Sequence, residues 1–172
     1  LLGIGASMAL VGGCTDVFSR SFVSQEKGME LYQAGDYETA ASSFSDATRQ
    51  NPRDYKSFFM AGQCYEKLGS DQKAIASYKT SLNVMDTTEP GRADAAFRSN
   101  TIDTLARVIA NSPSRETEIS TLEANAKSTN KSQDWLLLAK TYVAMGDADS
   151  AIDAFNRASI QAPGDLTIVK TY

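Results

Sequence analysis

Residues 135–163 read WLLLAKTYVAMGDADSAIDAFNRASIQAP, and the spacing within this stretch decides the fold. Trp135, Leu138, Ala139 and Tyr142 recur at intervals of three and four, so on a helix they share one face. Gly146 stands where that helix must end, a place that favours a left-handed residue. Asp147 follows it and suits the opening of a second helix. Ala151, Phe155 and Ala158 then give the second helix an apolar stripe of its own, and Pro163 punctuates its exit.

The same order occurs twice more in the chain. Tyr65, Gly69, Ala74 and Tyr78 precede Tyr142, Gly146, Ala151 and Phe155 by 77 positions each. Gly28, Gly35, Ala40 and Phe44 precede Gly62, Gly69, Ala74 and Tyr78 by 34. Matched pairs of one chemical kind at one offset mark an internal repeat. Small residues such as Gly62 and Ala74 let two helices of a repeat approach closely, and Tyr65 and Tyr78 fill the space beside the crossing. One such unit cannot bury its face alone, so neighbours must stack.

This pattern resembles the tetratricopeptide repeat, a helix-turn-helix unit of about 34 residues. Copy 132–165 carries Trp135, Leu138, Ala139, Tyr142, Gly146, Ala151, Phe155, Ala158 and Pro163 in the family's signature places. Copy 21–54 carries Gly28, Leu31, Gly35, Ala40, Phe44, Ala47 and Pro52, but Ser24 and Lys27 stand where large apolar residues are usual. Copy 55–88 has Phe58, Ala61, Gly62, Tyr65, Gly69, Ala74 and Tyr78, with Asp86 in place of the closing Pro. The resemblance implies an all-α solenoid of antiparallel helix pairs wound as a right-handed superhelix, over a domain at 23–172.

Residues 89–131 form a 43-residue interval where 34 are expected. Thr88-Glu89-Pro90 reads as a helix start, with Pro in the first turn. A helical pattern runs from Ala93 to Ile109, and Asn111-Ser112-Pro113 breaks it before a second helix through Ile119, Leu122 and Ala126. The interval reads either as a degenerate repeat with an extended first helix or as a non-repeat hairpin. Leu166 to Tyr172 look like the first turns of a further helix, which would cap the solenoid or begin another repeat.

The amino-terminal end is of another kind. Residues 1–13 carry no charge and are too short to span a bilayer as a helix, but they suit the apolar region of a secretory signal. Leu1 in place of Met implies a longer precursor. The run closes on Leu10-Val11-Gly12-Gly13-Cys14, which resembles a bacterial lipobox. That resemblance implies removal of 1–13, lipid attachment at Cys14, and a lipidated tether at 14–22. Several acyl chains anchor a protein firmly, since each buried CH₂ contributes about 0.8 kcal/mol. Thr15 in place of Asp looks like release to the outer membrane. Phe18 and Phe22 either pack on the first helix or sit at the lipid surface.

Composition bears on chemistry. The chain has 172 residues, no His, two Cys and a net charge of −4. Without His there is no His-based triad or His metal site, and two Cys make no Cys-rich zinc site. An acidic chain lacks the basic face of a nucleic-acid binder. No Gly-flanked nucleophile elbow, phosphate loop or metal-ligand cluster is present. We therefore expect no enzyme, cofactor or metal. Cys64, beside Tyr65, reads as a small buried thiol.

The family's members bind peptides or protein segments in a concave groove lined by the first helix of each repeat. The resemblance places Phe22, Gln25, Met29, Tyr32 and Gln33 there from the first copy. It adds Lys56, Phe59, Gln63, Glu66 and Lys67 from the second, and Gln133, Leu136, Lys140, Val143 and Ala144 from the last. Met29, Tyr32, Phe59, Gln63, Leu136 and Lys140 are the candidate partner-binding residues, because exposed aromatics and Met commonly anchor interfaces. One variant of the family grips a carboxylate with Lys, Asn and Arg, but Gln25, Met29 and Met60 hold the matching places, so that clamp is missing. The function expected is a lipid-anchored, periplasm-facing scaffold of the bacterial envelope. The alternative is a regulatory or substrate-holding subunit of an envelope enzyme or assembly machine.

Overall fold

The computed structural model describes residues 13–88 and 94–163, all organised around helices. In order these are α1 (Gly13–Gln33), α2 (Tyr37–Gln50), α3 (Tyr55–Lys67), α4 (Asp71–Thr88), α5 (Ala95–Asn111), α6 (Arg115–Thr129), α7 (Ser132–Met145) and α8 (Ala148–Gln161). Among the described residues there is no strand. The apolar leader before Gly13 and the helix start read at Leu166–Tyr172 lie outside the described residues.

The turns follow from their residues. Gly146 adopts φ +80°, and a side chain there would meet no atom within 4 Å, so backbone strain alone selects glycine. The Gly146 and Asp147 amides donate to Val143 and Tyr142 carbonyls at 3.0 Å each, closing α7. Asp147 then opens α8 by accepting from the Ser150 amide at 3.2 Å. Asp36 does the same for α2 through Thr39, and Asp54 for α3 through Ser57.

Helices pair as the small residues permit. A Cβ built on Gly62 would lie 2.7 Å from the Tyr78 ring, so α3 and α4 meet at a distance only glycine allows. Tyr78 is fully buried, with its ring 5.2 Å from that of Phe59. Phe59 in turn meets Phe97 of α5 at 5.1 Å, tying the second pair to the next helix. One apolar cluster runs from α3 to α8, and a smaller one of Ala40, Ala41, Phe44, Ala61 and Cys64 joins α2 to α3. α1 joins α2 by apolar contact, with Gly28 against the Phe44 ring and Leu31 on the α2 cluster, and by polar contacts beside it: Ser21 donates to the Ala47 carbonyl at 3.3 Å, and Gln50 to Ser24 at 3.3 Å. Ser24 thus takes a hydrogen bond where the repeat family usually packs a large apolar residue.

Two segments depart from expectation. The helix start read at Thr88-Glu89-Pro90 falls partly outside the described residues, which end at Thr88 and resume at Asp94. α4 runs on to Thr88, and α5 begins at Ala95, where Asp94 accepts from the Ala96 and Phe97 amides at 2.9 and 3.3 Å. α4 has 18 residues against 14 in α2 and α8, and α5 has 17 against 13 in α3 and 14 in α7, so helix extension absorbs most of the excess length. α5 also packs chiefly against α7 and only sparsely against its sequence partner α6. α5 buries Ile102, Leu105, Val108 and Ile109 in the core cluster it shares with Trp135, Leu136, Leu137 and Leu138 of α7. Secondly, α1 already begins at Gly13, so the segment 14–22 read as a tether is continuous with the first repeat helix.

Candidate protein-binding surface

The first helices α1, α3, α5 and α7 carry the residues expected to line the groove, and the structure divides them. Met29 is 40% exposed on α1. Tyr32 is half-buried, edge-on to Tyr37 with ring centroids 5.3 Å apart, and burial raises its pKa. Gln63 is half-buried on α3. Lys140 forms an ion pair with Asp103 of α5 at 3.0 Å.

Phe59 and Leu136 are corrections. Phe59 is only 5% exposed, enclosed by Tyr78 and Phe97, and Leu136 at 9% belongs to the same core cluster. The physical cause is α5, whose Phe97 ring lies against Phe59 and whose Ile102, Leu105 and Ile109 share the core cluster with Phe59 and Leu136. Neither side chain offers a groove surface.

In exchange α5 brings groups that sequence reading missed. Arg107 pairs with Glu66 of α3 at 2.8 Å, and Glu66 also accepts the Tyr78 hydroxyl at 3.1 Å. Desolvation, and then the Glu66 carboxylate, raise the Tyr78 pKa well above the ordinary phenol value. Asp103 and Arg107, four residues apart, share one helix face, and that spacing was the available signal. The first helices therefore present an ordered charge pattern, Glu66–Arg107 and Asp103–Lys140, beside the exposed Met29.

Two clefts open behind this layer. One, of about 300 Å³, lies between α4, α5, α6 and α7, with Leu82, Ile102, Leu122 and Leu137 in its lining and Asn83, Asn125 and Lys131 among its polar groups. The other, of about 420 Å³, lies between α6, α7 and α8. There Tyr142 donates to Glu123 at 2.6 Å and Lys127 to the same carboxylate at 3.1 Å, which together hold the Glu123 pKa below its usual value. Arg157 lies 5.0 Å from the Trp135 ring centre. No group of acidic or Cys side chains among the described residues is placed to hold a metal ion. Cys64 is fully buried in the α2–α3 core, and desolvation pushes its thiol up to about 11.

Models of the tetratricopeptide repeat match residues 26–90 and 135–159, the paired helices α1–α4 and α7–α8. The chain carries tetratricopeptide repeats. The unmatched middle is the α5–α6 region, where the repeat signature is lost. Heat shock protein STI1 of Saccharomyces cerevisiae is 31% identical over 142 residues, covering 78% of this chain and 21% of the yeast protein. The chain thus spans about a fifth of that relative. Among solved structures, MamA protein aligns with a TM-score of 0.51 at 18% identity, covering 87% of this chain and 76% of its own. MamA from Desulfovibrio magneticus RS-1 gives 0.50 at 15% identity, with coverages of 87% and 79%. At those identities the likeness is one of fold, an all-helical tetratricopeptide solenoid. Solenoids of stacked repeats present extended concave surfaces for binding.

Proposed function

We propose that this tetratricopeptide protein is a lipid-anchored scaffold of the bacterial cell envelope that binds a protein or peptide segment and performs no catalysis. The scaffold reading rests on the stacked repeats and on the face where Met29, Tyr32 and Gln63 remain reachable beside the Glu66–Arg107 and Asp103–Lys140 pairs. The anchor reading rests on one observation, the run Leu10-Val11-Gly12-Gly13-Cys14 after an uncharged apolar stretch. Among the described residues no helix is long and apolar enough to cross a membrane. Acyl chains on Cys14 would supply the attachment, facing the periplasm, with Thr15 favouring the outer membrane over the inner.

Fractionation of cells expressing the wild type and Cys14→Ala tests the anchor. The wild type is expected in membranes and the variant outside them; equal membrane recovery of both overturns it. Crosslinking in the same cells, with Met29→Ala and Gln63→Ala combined, tests the surface. Loss of the partner bands is the expected result, and unchanged bands would remove this face from the account.

A further inference from the structure

α6 is held differently from the helices on either side of it. Of its 15 residues only Leu122 and Ala126 are buried, against seven residues in α5 and seven in α7. It packs sparsely on α5, its sequence partner. Helices α2, α3, α5 and α8 each open on an Asp that accepts a first-turn amide, whereas the Ser114 side chain at the head of α6 makes no such bond. At the other end Asn130 takes φ +51°, a left-handed conformation that stops the helix.

Clefts border it on two sides. Leu122, Asn125 and Thr129 line the cleft of about 300 Å³ shared with α4, α5 and α7. Glu123 and Lys127 line the cleft of about 420 Å³ shared with α7 and α8. A third hollow, of about 430 Å³, lies against the link Ser112-Pro113-Ser114 that leads into α6. The ties across these gaps are polar. Lys79 of α4 pairs with Glu118 at 2.6 Å, and Tyr142 of α7 donates to Glu123 at 2.6 Å. All four side chains are half-buried, so water competes for them. Leu122 is the one large side chain that α6 buries, and Ile119 packs half-buried against the same core cluster.

A segment with few buried apolar contacts and water-accessible ties opens locally, below the energy of global unfolding. We propose that α6 is a flap that opens as a unit on its two links while α5, α7 and α8 stay folded. The stack survives its departure because α5 and α7 meet directly, sharing Ile102, Leu105, Leu137 and Leu138 in one core cluster, and α7 packs closely on α8. Neither contact passes through α6. When α6 leaves it takes Leu122 away, and Leu82, Ile102 and Leu137, which line the same cleft from α4, α5 and α7, come into water. The closed flap keeps this apolar floor out of reach, and the ties at Glu118 and Glu123 set how often it opens. The device works with or without a lipid anchor.

Amide hydrogen exchange of the full chain, read peptide by peptide by mass spectrometry, tests the flap. Amides of α6 are expected to exchange at least about tenfold faster than those of α5 and α7. Glu118→Gln combined with Glu123→Gln should speed α6 by a further factor of roughly five to ten and leave α5 and α7 unchanged. Equal protection of the three helices overturns the flap, and so does a variant in which all three speed up together. Thiol labelling tests control of the cleft, in a Cys14→Ala chain carrying Ile102→Cys at a position only 4% exposed. Labelling at 102 should rise by the same factor of roughly five to ten when the two Gln substitutions are added, while the buried Cys64 stays unlabelled. A rate at 102 that the Gln substitutions leave unchanged overturns the control of the cleft by α6. Labelling of Cys64 in step with position 102 would mark global opening and overturn the flap itself.

Discussion

Replacing Phe59 by Ala separates a core residue from a groove residue. Phe59 is 5% exposed and its ring lies 5.2 Å from Tyr78 and 5.1 Å from Phe97, so truncation leaves a cavity between α3, α4 and α5. Burial of an aromatic ring in such a site makes its loss cost about 3–5 kcal/mol, through lost transfer energy and the unfilled cavity. For a chain of this length that lowers the melting temperature by roughly 6–20 °C, at about 2–4 °C per kcal/mol. Urea unfolding followed by helical circular dichroism measures it, with the midpoint shifting at constant slope. Met29→Ala, on the exposed face of α1, should stay within about 0.5 kcal/mol of the wild type. A double-mutant cycle with Phe97→Ala should return a coupling of about 0.5–1.5 kcal/mol for the ring pair. A Phe59→Ala loss below about 1 kcal/mol, far under the usual range for a buried aromatic, would show that α5 does not cover this ring and would restore it to the groove.

Four further outcomes follow from the same geometry. Gly62→Ala gains about 0.8–1 kcal/mol in helix propensity but drives a methyl to 2.7 Å from the buried Tyr78 ring, which costs about 1–3 kcal/mol, so net destabilisation is expected in urea melts. Gly146→Ala meets no neighbour and should lose about 1–2 kcal/mol from φ +80° alone. Tyr78 has its pKa raised by burial and by Glu66. The unfolded chain therefore releases that proton first, and stability falls above about pH 10 by up to about 1.4 kcal/mol per pH unit. Tyr78→Phe should flatten the alkaline decline between pH 9 and 11 in thermal melts, and an unchanged slope would contradict the burial argument. In a Cys14→Ala chain, Cys64 should resist thiol reagents until urea unfolds the protein, because its thiol is buried and pushed up to about 11; rapid labelling of the native chain would refute this.

The repeats were legible because their physics is local. Gly146 and Asp147 specify a turn and a cap within two residues, and Gly62 with Tyr78 specifies a crossing within seventeen positions. The middle was less so. Where α4 ends and α5 begins depends on the Asp94 cap, and Pro90 gave a competing signal for a helix start. The groove was read by carrying over family positions, which holds only if every neighbouring helix keeps its usual distance. Here α5 packs chiefly on α7, away from its sequence partner α6, and its Phe97 covers Phe59. Long-range packing of this sort leaves no mark within the α3 sequence. Asp103 and Arg107 were readable as an ordinary charge pair, but their partners Lys140 and Glu66 lie 37 and 41 positions away and only the fold unites them.

The anchored scaffold is tested most directly by the mass of the intact protein extracted from its own membranes. The account predicts a chain that begins at Cys14 and carries acyl chains on that residue. A chain that retains residues before Cys14, or that begins there without lipid, would contradict it.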